Sequence, residues 1–510
     1  MTKKAIKGKE ARHKLMAGIA LVEEAVAPTL GPSARYVMLE RPYGSPLTIN
    51  DGVTIANDIE SDDPYEMMGI RLVQEVANNA QEHGGDGTTT ATLIAASLCR
   101  EGLVLLDEGM NPLEIKQTFD LLLEKCEEWI DDFVIEPDDE EERKQQIFEV
   151  ATIAANNDAN LGALITGALQ QTNYEGIITV EESHTTKHSF DIVEGLEIRA
   201  GFASPYFISD QGKFECVLDS AYVHLSKEII TQNNDIVPAM EKALGDQKAL
   251  LIIAKGVEGE ALQTLITNVQ RGVMRACAVV HPPFHFDDAM SDLEALLGES
   301  CLVGKAIIGK NYTRLIGASG DIEERCDILG DQISKADENG ERELADAIYE
   351  RLSKLRGGVG VIRVGASSAT EMKETKERVD DALNTTRAAI KEGVIVGGGL
   401  TLLKLSSLVS ESGDEHISPH CLRIYEVLAH ALKTPLVQLG INAGVGNVDA
   451  LVGQLLKSVG NHGYNAKTRR FADLREEGVL DAASVVKSSL RAAVSIASMV
   501  ILTEVLVADL

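Results

Sequence analysis

The sequence Gly84-Gly85-Asp86-Gly87-Thr88-Thr89-Thr90-Ala91-Thr92 joins a cluster of glycines to one aspartate and three consecutive threonines. An apolar run of helical period, from Ala91 to Leu98, follows at once, so the threonines are expected at a helix N-terminus. Glycines let the backbone approach a ligand closely, and a helix N-terminus attracts anions. A neighbouring carboxylate suits Mg²⁺, which keeps phosphates and waters among its ligands. The stretch therefore predicts a cradle for phosphate and Mg²⁺, and a capped helix after a glycine turn is the alternative.

The composition is that of a folded, soluble protein with more than one domain. Its 510 residues exceed the usual size of one domain, and 44% of them are hydrophobic while 25% are charged. The formal net charge of −31 disfavours binding to nucleic acid or to an anionic membrane. We therefore expect neither nucleic acid nor a membrane among its partners.

The ends of the chain and its cysteines indicate a cytoplasmic location. No apolar signal segment follows Met1 to Lys4, and the apolar run from Ala492 to Thr503 is shorter than the ~20 residues that span a bilayer. The seven cysteines are scattered without Cys-x-x-Cys pairs. This pattern is typical of reduced cysteines rather than of a disulfide framework or a zinc site.

Hydrophobic periodicity predicts helices toward both ends of the chain and alternating strands and helices between them. The N-terminal helices are expected over 5–28, 67–83, 91–107, 112–130 and 145–171. In the middle, a strand over 250–254, a helix over 260–273 and a strand over 277–280 follow one another. The C-terminal helices are expected over 371–391, 400–409, 421–439, 447–457 and 482–507. An α/β block inserted into a helical body would explain this order.

Other segments with possible ligand chemistry are Thr29-Leu30-Gly31-Pro32 and the predicted tight turn Asn50-Asp51-Gly52. The segment Gly304–Asn311 resembles a P-loop but ends in asparagine where a hydroxyl should bind Mg²⁺, so we reject it. The histidines in 281–288 could be drawn as a metal site. Their prolines and the lack of an evident further ligand favour a polar surface loop.

Many ordered motifs, spread over nearly the whole chain, relate it to a known family. The chain resembles the group I chaperonins, the sixty-kilodalton chaperonin family. The motifs that carry this resemblance are Thr29-Leu30-Gly31-Pro32, Asp51-Gly52-Val53, Gly85-Asp86-Gly87-Thr88-Thr89-Thr90-Ala91-Thr92, Gly109-Met110-Asn111-Pro112, Val193-Glu194-Gly195, Ser204-Pro205-Tyr206-Phe207, Val257-Glu258-Gly259-Glu260-Ala261-Leu262, Asp381-Ala382-Leu383, Thr386-Arg387-Ala388-Ala389, Gly397-Gly398-Gly399 and Gly463-Tyr464-Asn465-Ala466.

The resemblance implies a multidomain α and α/β fold with three domains, two of them discontinuous. The mostly helical equatorial domain would comprise 1–132 and 392–510, the small α+β intermediate domain 133–193 and 360–391, and the inserted α/β apical domain 194–359. It also implies seven-membered rings of this chain, single or stacked in pairs, that enclose non-native polypeptides. ATP and Mg²⁺ would drive the cycle, with K⁺ as a further candidate ion.

The resemblance also implies roles for individual residues. The residues that match nucleotide-binding positions are Thr29, Leu30, Gly31, Pro32, Asn50, Asp86, Gly87, Thr88, Thr89, Thr90, Gly398, Asn465, Ala466 and Asp481. Among them, Asp86 matches the Mg²⁺ ligand. Two aspartates match catalytic positions: Asp381 the carboxylate that positions the attacking water, and Asp51 a carboxylate near the terminal phosphate. Because Asp381 would lie on the intermediate domain, hydrolysis would depend on domain closure.

A further implied site is an apolar, partly exposed surface of the apical domain that binds non-native proteins. The matching residues are Phe202, Tyr206, Phe207, Val237, Met240, Leu262 and Ile266. Exposed apolar patches mark interaction sites, whereas packing in a core is the alternative for the same side chains. A lid-like co-chaperonin would compete for this surface.

Several positions depart from the family pattern. Ser33 and Asn50 stand where lysines are common, Thr267 replaces a valine, and the acidic pair Asp287-Asp288 replaces a basic cluster. The chain also stops at Leu510 without the usual tail rich in glycine and methionine. These departures predict a divergent member of the family, archaeal or viral.

The function predicted from the sequence is that of an ATP-driven folding chamber. The alternative is a protein-binding or structural ring with weak or lost ATPase cycling. Asp51, Asp86 and Asp381 occur together, which favours the first hypothesis. A phosphotransferase acting on a small molecule would need an acceptor pocket, for which the sequence has no sign.

Overall fold

A computed structural model describes most of the chain from residue 3 to residue 509. The residues outside its description are 1–2, 42–45, 85, 173, 175–176, 184, 194, 212, 282–285, 299, 319, 339–347, 350, 353, 356–358, 414–418 and 510. The chain divides into two compact units. Unit 1 comprises Met1–Gly167, Glu182–His188 and Val364–Leu510, and unit 2 comprises Ala168–Glu181 and Ser189–Arg363. The division into three domains stays a prediction.

The described helices, in chain order, are α1 Lys9–Val26, α2 Gly52–Asp58, α3 Pro64–Gly84, α4 Thr88–Asp107, α5 Pro112–Asp132, α6 Glu140–Ala154, α7 Ala159–Gln171, α8 Asn233–Gly245, α9 Gly259–Gln270, α10 Phe286–Leu297, α11 Glu323–Glu338, α12 Ala369–Glu392, α13 Leu400–Glu411, α14 Pro419–Ala431, α15 Thr434–Asn442, α16 Val448–Leu455 and α17 Ala483–Leu502. Short 3-10 helices cover Ala27–Thr29 and Pro205–Phe207.

The described strands are β1 Lys3–Lys7, β2 Val37–Leu39, β3 Leu47–Ile49, β4 Ile177–Glu182, β5 Ser189–Val193, β6 Gly195–Ile198, β7 Gly201–Phe202, β8 Cys216–Ile230, β9 Ala249–Val257, β10 Ala276–Val280, β11 Leu302–Ile308, β12 Thr313–Ala318, β13 Val359–Val364, β14 Val394–Val396, β15 His462–Asn465, β16 Arg470–Asp473, β17 Leu480–Ala482 and β18 Val505–Asp509. Unit 1 contains the antiparallel pairs β1-β18, β2-β3, β14-β17 and β15-β16. The other sheets have the strand orders β4-β13-β5 and β6-β12-β11-β8-β9-β10-β7.

The core of unit 1 consists of aliphatic helices packed around α4 and α17. Two glycines bring α1 and α3 into close contact: a Cβ on Gly18 would lie 2.0 Å from the Glu66 carbonyl oxygen, and one on Gly69 would lie 2.1 Å from the Leu15 carbonyl oxygen. By length and composition, α4 and α17 could each cross a membrane. In unit 1 they pack against each other, with 61% and 67% of their apolar windows buried.

The core of unit 2 is the seven-stranded mixed sheet. Its central strands β8, β9 and β10 run parallel, and the strands outside them pair antiparallel. In β9, Leu250 to Ile253 are fully buried. Helices pack on this sheet, which explains why the strand is a continuous apolar run rather than an alternating one.

Both ends of the chain differ from their predicted structure. The helix predicted over 5–28 begins only at Lys9, because residues 3–7 form β1. The helix predicted to reach 507 ends at Leu502, and residues 505–509 form β18. These two strands pair with each other, so the structure of each end depends on the other end of the chain.

Three further predicted elements are also wrong in detail. The helix predicted over 145–171 is divided into α6 and α7, because Asn156 and Asn157 adopt left-handed φ angles of 56° and 63°. The helix predicted over 421–439 is divided into α14 and α15, and Pro435 lies in the first turn of the second. Asn50-Asp51-Gly52 leads into a short helix, α2, rather than forming only a turn.

Candidate functional site

A cavity of about 720 Å³ in unit 1 contains the residues predicted to bind a nucleotide. This volume is in the range of small-molecule sites. Its lining includes every predicted nucleotide-binding residue, together with Asp51 and Asp381. The structure thus brings together positions from 29 to 481, and their roles in binding stay predictions.

The N-terminus of α4 forms one wall of the cavity. Its first helical hydrogen bond runs from Ala91 N to the Gly87 carbonyl oxygen at 2.9 Å, which leaves the N–H groups of residues 88–90 outside the helical ladder. Gly87 has a left-handed φ of 91°, and a Cβ there would lie 2.4 Å from Ser489 Oγ. The Ser489 hydroxyl donates a hydrogen bond to the Gly87 carbonyl oxygen at 3.2 Å. Only glycine fits this position without strain, and the helix presents free donors to the cavity.

The 29–32 loop lies against the same helix end. Asn442 on α15 holds the loop because its Nδ2 donates to the Leu30 carbonyl oxygen at 3.0 Å and to the Ala27 carbonyl oxygen at the same distance. The hydroxyls of Thr29 and Thr89 lie 3.3 Å apart. The loop is therefore positioned by contacts with a helix more than 400 residues later in the chain.

Asp51 is positioned as the N-cap of α2. Its carboxylate accepts hydrogen bonds from Thr54 N at 2.7 Å and from Val53 N at 3.3 Å. A Cβ on Gly52 would lie 2.7 Å from Thr89 Oγ1, so α2 begins in contact with the start of α4. The cap thus fixes one carboxylate beside the helix N-terminus.

Asp381 on α12 faces the cavity from another side, and Gln81 donates a hydrogen bond to it at 3.1 Å. Burial raises the pKa of Asp381 well above its ordinary value, and the charges of Asp51 and Asp86 raise it further. Desolvation by the surrounding protein also raises the pKa of Asp86, and the charge of Asp51 raises it further. The hydrogen bond that Gly87 N donates to the Asp86 carboxylate at 2.5 Å acts in the opposite direction and lowers this pKa. Asp86 lines the cavity and is an exposed residue. Three carboxylates therefore repel one another across one cavity.

These carboxylates and the helix N-terminus fit a phosphate that carries Mg²⁺. In the part of the chain that the structure describes, no three side chains of His, Cys, Asp or Glu come together as a metal-binding group. Within the described residues, side chains of these four types alone therefore do not form a metal site. Mg²⁺ is commonly held by one or two carboxylates together with substrate phosphates, and Asp86 beside the free N–H groups of α4 suits that arrangement.

The predicted base and ribose contacts also line the cavity. Gly398 has φ 63° in the turn before α13, and Gly397 N donates to the Val479 carbonyl oxygen at 2.8 Å. The buried side chain of Asn465 accepts hydrogen bonds from Lys467 N at 2.9 Å and from Thr468 N at 3.1 Å. Asp481 lies in β17 opposite Ile395. Burial, followed by the charge of Asp86, raises the pKa of Asp481 to about 6.

Cavity residues that the sequence analysis missed include a row on α12. Glu374, Arg378, Asp381 and Thr385 all line the cavity, at intervals of three or four residues that correspond to one helix face. Arg378 forms an ion pair with Glu374 one turn earlier. The spacing was readable in the sequence, but a charged helix face is equally typical of a solvated surface.

The seven residues predicted to bind non-native proteins lie in unit 2 with very different exposures. Tyr206 is 65% exposed and Val237 is 38% exposed, while Phe202 and Leu262 are half-buried. The expected exposure is wrong for the other three, Phe207, Met240 and Ile266, which are 2%, 8% and 8% exposed in the core of unit 2. Their side chains fill the space between the sheet and its helices. The binding role of this surface stays a prediction.

The two alternative ligand segments have different outcomes. Gly304 lies inside β11 and does not precede a helix, which agrees with the rejection of a P-loop over 304–311. Residues 282–285 of the histidine segment lie outside the described residues. His281 is buried and makes an edge contact with Phe286 at 5.5 Å between ring centroids.

Comparison with known proteins relates nearly the whole chain to one family. A model of the TCP-1/cpn60 chaperonin family matches residues 22–509. The fold is similar to two crystal structures of the chaperonin gp146 from the bacteriophage EL 2 (Pseudomonas aeruginosa), obtained in the presence of ATP-BeFx. The TM-scores are 0.66 and 0.64, the sequence identity is 20%, and each alignment covers 99% of both chains.

Proposed function

Because the chain belongs to the TCP-1/cpn60 chaperonin family, we propose that it is an ATP-driven chaperone that assists the folding of non-native proteins. The observation that carries the ATPase part is the convergence of Asp51, Asp86 and Asp381 on a cavity closed by a helix N-terminus. The similar phage chaperonin was crystallised in the presence of an ATP analogue, which supports a nucleotide in this cavity.

In this proposal, the N–H groups of residues 88–90 and the neighbouring hydroxyls bind the phosphates, and Asp86 holds Mg²⁺. The bound Mg²⁺ would supply positive charge that neutralises the phosphate oxygens. The base and ribose would lie toward Gly398, Asn465 and Asp481. This orientation follows from the positions of the matching family motifs.

Asp381 would orient the water that attacks the terminal phosphorus. The new P–O bond forms as the bond from that phosphorus to the bridging oxygen breaks, so ADP leaves and the proton of the water passes to Asp381 or to a phosphate oxygen. In the nucleotide-free protein, burial and then the charges of Asp51 and Asp86 raise the pKa of Asp381. A raised pKa makes the ionised carboxylate a stronger base toward the proton of the water.

The proposal extends to the assembly and its partners. The chain would form seven-membered rings, single or stacked in pairs, in the cytoplasm, and would bind non-native polypeptides on the surface around Tyr206 and Val237. Membership of a family of ring-forming chaperones supports this assembly. A lid-like co-chaperonin and a K⁺ requirement belong to the same proposal.

The test is ATP turnover by purified wild-type protein and by Asp381→Asn, with nucleotide affinity measured separately by fluorescence. We expect the substitution to lower turnover by about 100-fold or more, since general base groups contribute about 10²- to 10⁴-fold. ATP affinity should stay close to the wild-type value. The matched control is Asp380→Asn, which changes the adjacent carboxylate outside the cavity lining. Equal turnover in Asp381→Asn and wild type would refute the assignment of Asp381.

Two further measurements separate the alternative functions. Electron micrographs with and without ATP show whether rings form and how many copies each contains. Refolding of a denatured enzyme with ATP, with ADP and without nucleotide shows whether the particle cycles. Rings that bind denatured protein without ATP turnover would favour the structural or protein-binding ring instead.

A further inference from the structure

The cavity of unit 1 is strongly acidic for a site that takes a nucleotide. Its acidic lining residues are Asp51, Asp86, Glu149, Glu374, Glu377, Asp381, Glu477 and Asp481. Among the described lining residues, the basic ones are Arg378 and Lys467. A triphosphate adds further negative charge, so each of these two cations matters for the charge balance.

The two cations belong to different parts of the cavity. Lys467 directly follows the turn of Asn465 and Ala466, where the Lys467 N–H bonds to the Asn465 side chain. Arg378 lies on α12, three residues before Asp381 and on the same helix face. Within the described lining, Arg378 is therefore the basic residue on the same helix face as Asp381.

The guanidinium group of Arg378 is held in place but is not fully satisfied. Its Nη2 donates to Glu374 Oε1 in an ion pair within α12, and the side chains of Arg378 and Glu374 are only 20% and 13% exposed. The Nε atom of Arg378 is buried, and in the described part of the chain it has no hydrogen-bond partner. Native proteins rarely leave a buried donor unpaired, so this guanidinium group keeps hydrogen-bonding capacity for an acceptor that enters the cavity.

We propose that Arg378 binds the terminal phosphate of ATP and thereby distinguishes ATP from ADP. This inference rests on the proposed function, since it requires a nucleotide in the cavity. The guanidinium would donate charge-assisted hydrogen bonds to the phosphate oxygens, while Glu374 keeps it oriented. Its position one turn from Asp381 places the group that reads the third phosphate beside the group that would orient the attacking water.

The test compares affinities for a non-hydrolysable ATP analogue and for ADP, both with Mg²⁺, in the full-length protein. We expect Arg378→Ala to weaken binding of the analogue about 10- to 100-fold, as expected for lost hydrogen bonds to a charged group, and to change ADP affinity less than about 3-fold. Arg378→Lys keeps the charge and should recover part of the loss. Lys467→Ala is the matched control, and it should change the two affinities by the same factor.

The possible results are distinguishable. A selective loss for the ATP analogue, with partial recovery in Arg378→Lys, supports the assignment. Equal losses for both nucleotides, or unchanged affinities, overturn it and leave the ATPase proposal intact. If wild-type protein binds neither nucleotide, the proposed function fails and this assignment fails with it. Circular dichroism checks the fold of each variant, and Arg378→Gln replaces Arg378→Ala if the alanine variant does not fold.

Discussion

Replacing Asp481 by asparagine is expected to stabilise the nucleotide-free protein at neutral pH. The pKa of Asp481 is raised from 3.8 to about 6, first by burial and then by the charge of Asp86. The folded state therefore holds the Asp481 proton more tightly than the unfolded state does. Above pH 6 the carboxylate is ionised in a site that disfavours its charge, and this lowers the free energy of unfolding.

The magnitude follows from the pKa difference of about 2 units, which corresponds to about 3 kcal/mol in the free energy of unfolding. Below pH 3.8 both states are protonated and Asp481 makes no contribution. As the pH rises from about 4 to about 6, the ionised unfolded state gains relative to the protonated folded state, so stability falls. Above pH 6 the loss is complete and constant.

The assay is urea denaturation of wild type and Asp481→Asn, without nucleotide, at pH 4.5, 6.0 and 7.5. The stability gain of the variant should be small at pH 4.5 and should approach about 3 kcal/mol at pH 7.5. The exposed carboxylate of Asp62 provides the control substitution, Asp62→Asn. In an Asp86→Asn background the gain should shrink only partly, because burial is the larger cause. A gain that is equal at all three pH values, or absent at pH 7.5, would refute the reasoning.

Three other substitutions test the geometry. Gly87→Ala should raise the KM for ATP at least about 10-fold, because the new Cβ would lie 2.4 Å from Ser489 Oγ and the residue has a left-handed φ. Steady-state kinetics measure the KM, and an unchanged value would contradict this prediction. Asn442→Ala should destabilise unit 1 by about 1–3 kcal/mol in urea denaturation, because two carbonyl oxygens lose their 3.0 Å donor; an unaltered midpoint would count against this role. Asp292→Ala should destabilise unit 2 by about 3–5 kcal/mol, because Arg325 and Arg351, at 2.8 and 2.9 Å, lose the carboxylate that they share. Native-state proteolysis measures this loss of stability, and a variant as resistant to protease as the wild type would disprove the prediction.

The family and the fold class could be predicted from the sequence. The resemblance to the group I chaperonins is confirmed by the family match, and the multidomain α and α/β fold is confirmed by the match to a chaperonin structure. The family and the fold class were both predicted from short motifs such as Gly85–Thr92. In such motifs, glycines and the residues that begin a helix need particular local backbone conformations. Gly87, with its left-handed φ of 91° directly before α4, is one such position.

Exposure could not be predicted in the same way. Phe207, Met240 and Ile266 were expected on a binding surface and lie in the core of unit 2, while Tyr206 and Val237 are exposed. An apolar residue at helical spacing looks the same in the sequence whether its side chain is packed in a core or exposed on a binding surface. The difference depends on which strands and helices cover it, and these come from distant parts of the chain.

The pairing of the chain ends was missed for a similar reason. The predicted helices ran through residues 5–7 and 505–507, because a short apolar pattern does not by itself distinguish a helix end from a strand. Each becomes a strand because the other supplies hydrogen-bond partners. The spacing of the charged residues on α12 was visible in the sequence. Only the structure shows that Arg378 and Glu374 line the cavity.

The sequence by itself determined where α4 begins, because the left-handed φ at Gly87 and the apolar helical run that follows it are local properties of the chain. The tertiary structure decided that Asp51, Asp86 and Asp381 share one cavity, where burial and then the charges of Asp51 and Asp86 raise the pKa of Asp381. It also placed Arg378 in the wall of that cavity. Burial and Coulomb repulsion depend on atoms that folding brings together from positions hundreds of residues apart, so local patterns in the sequence do not contain them.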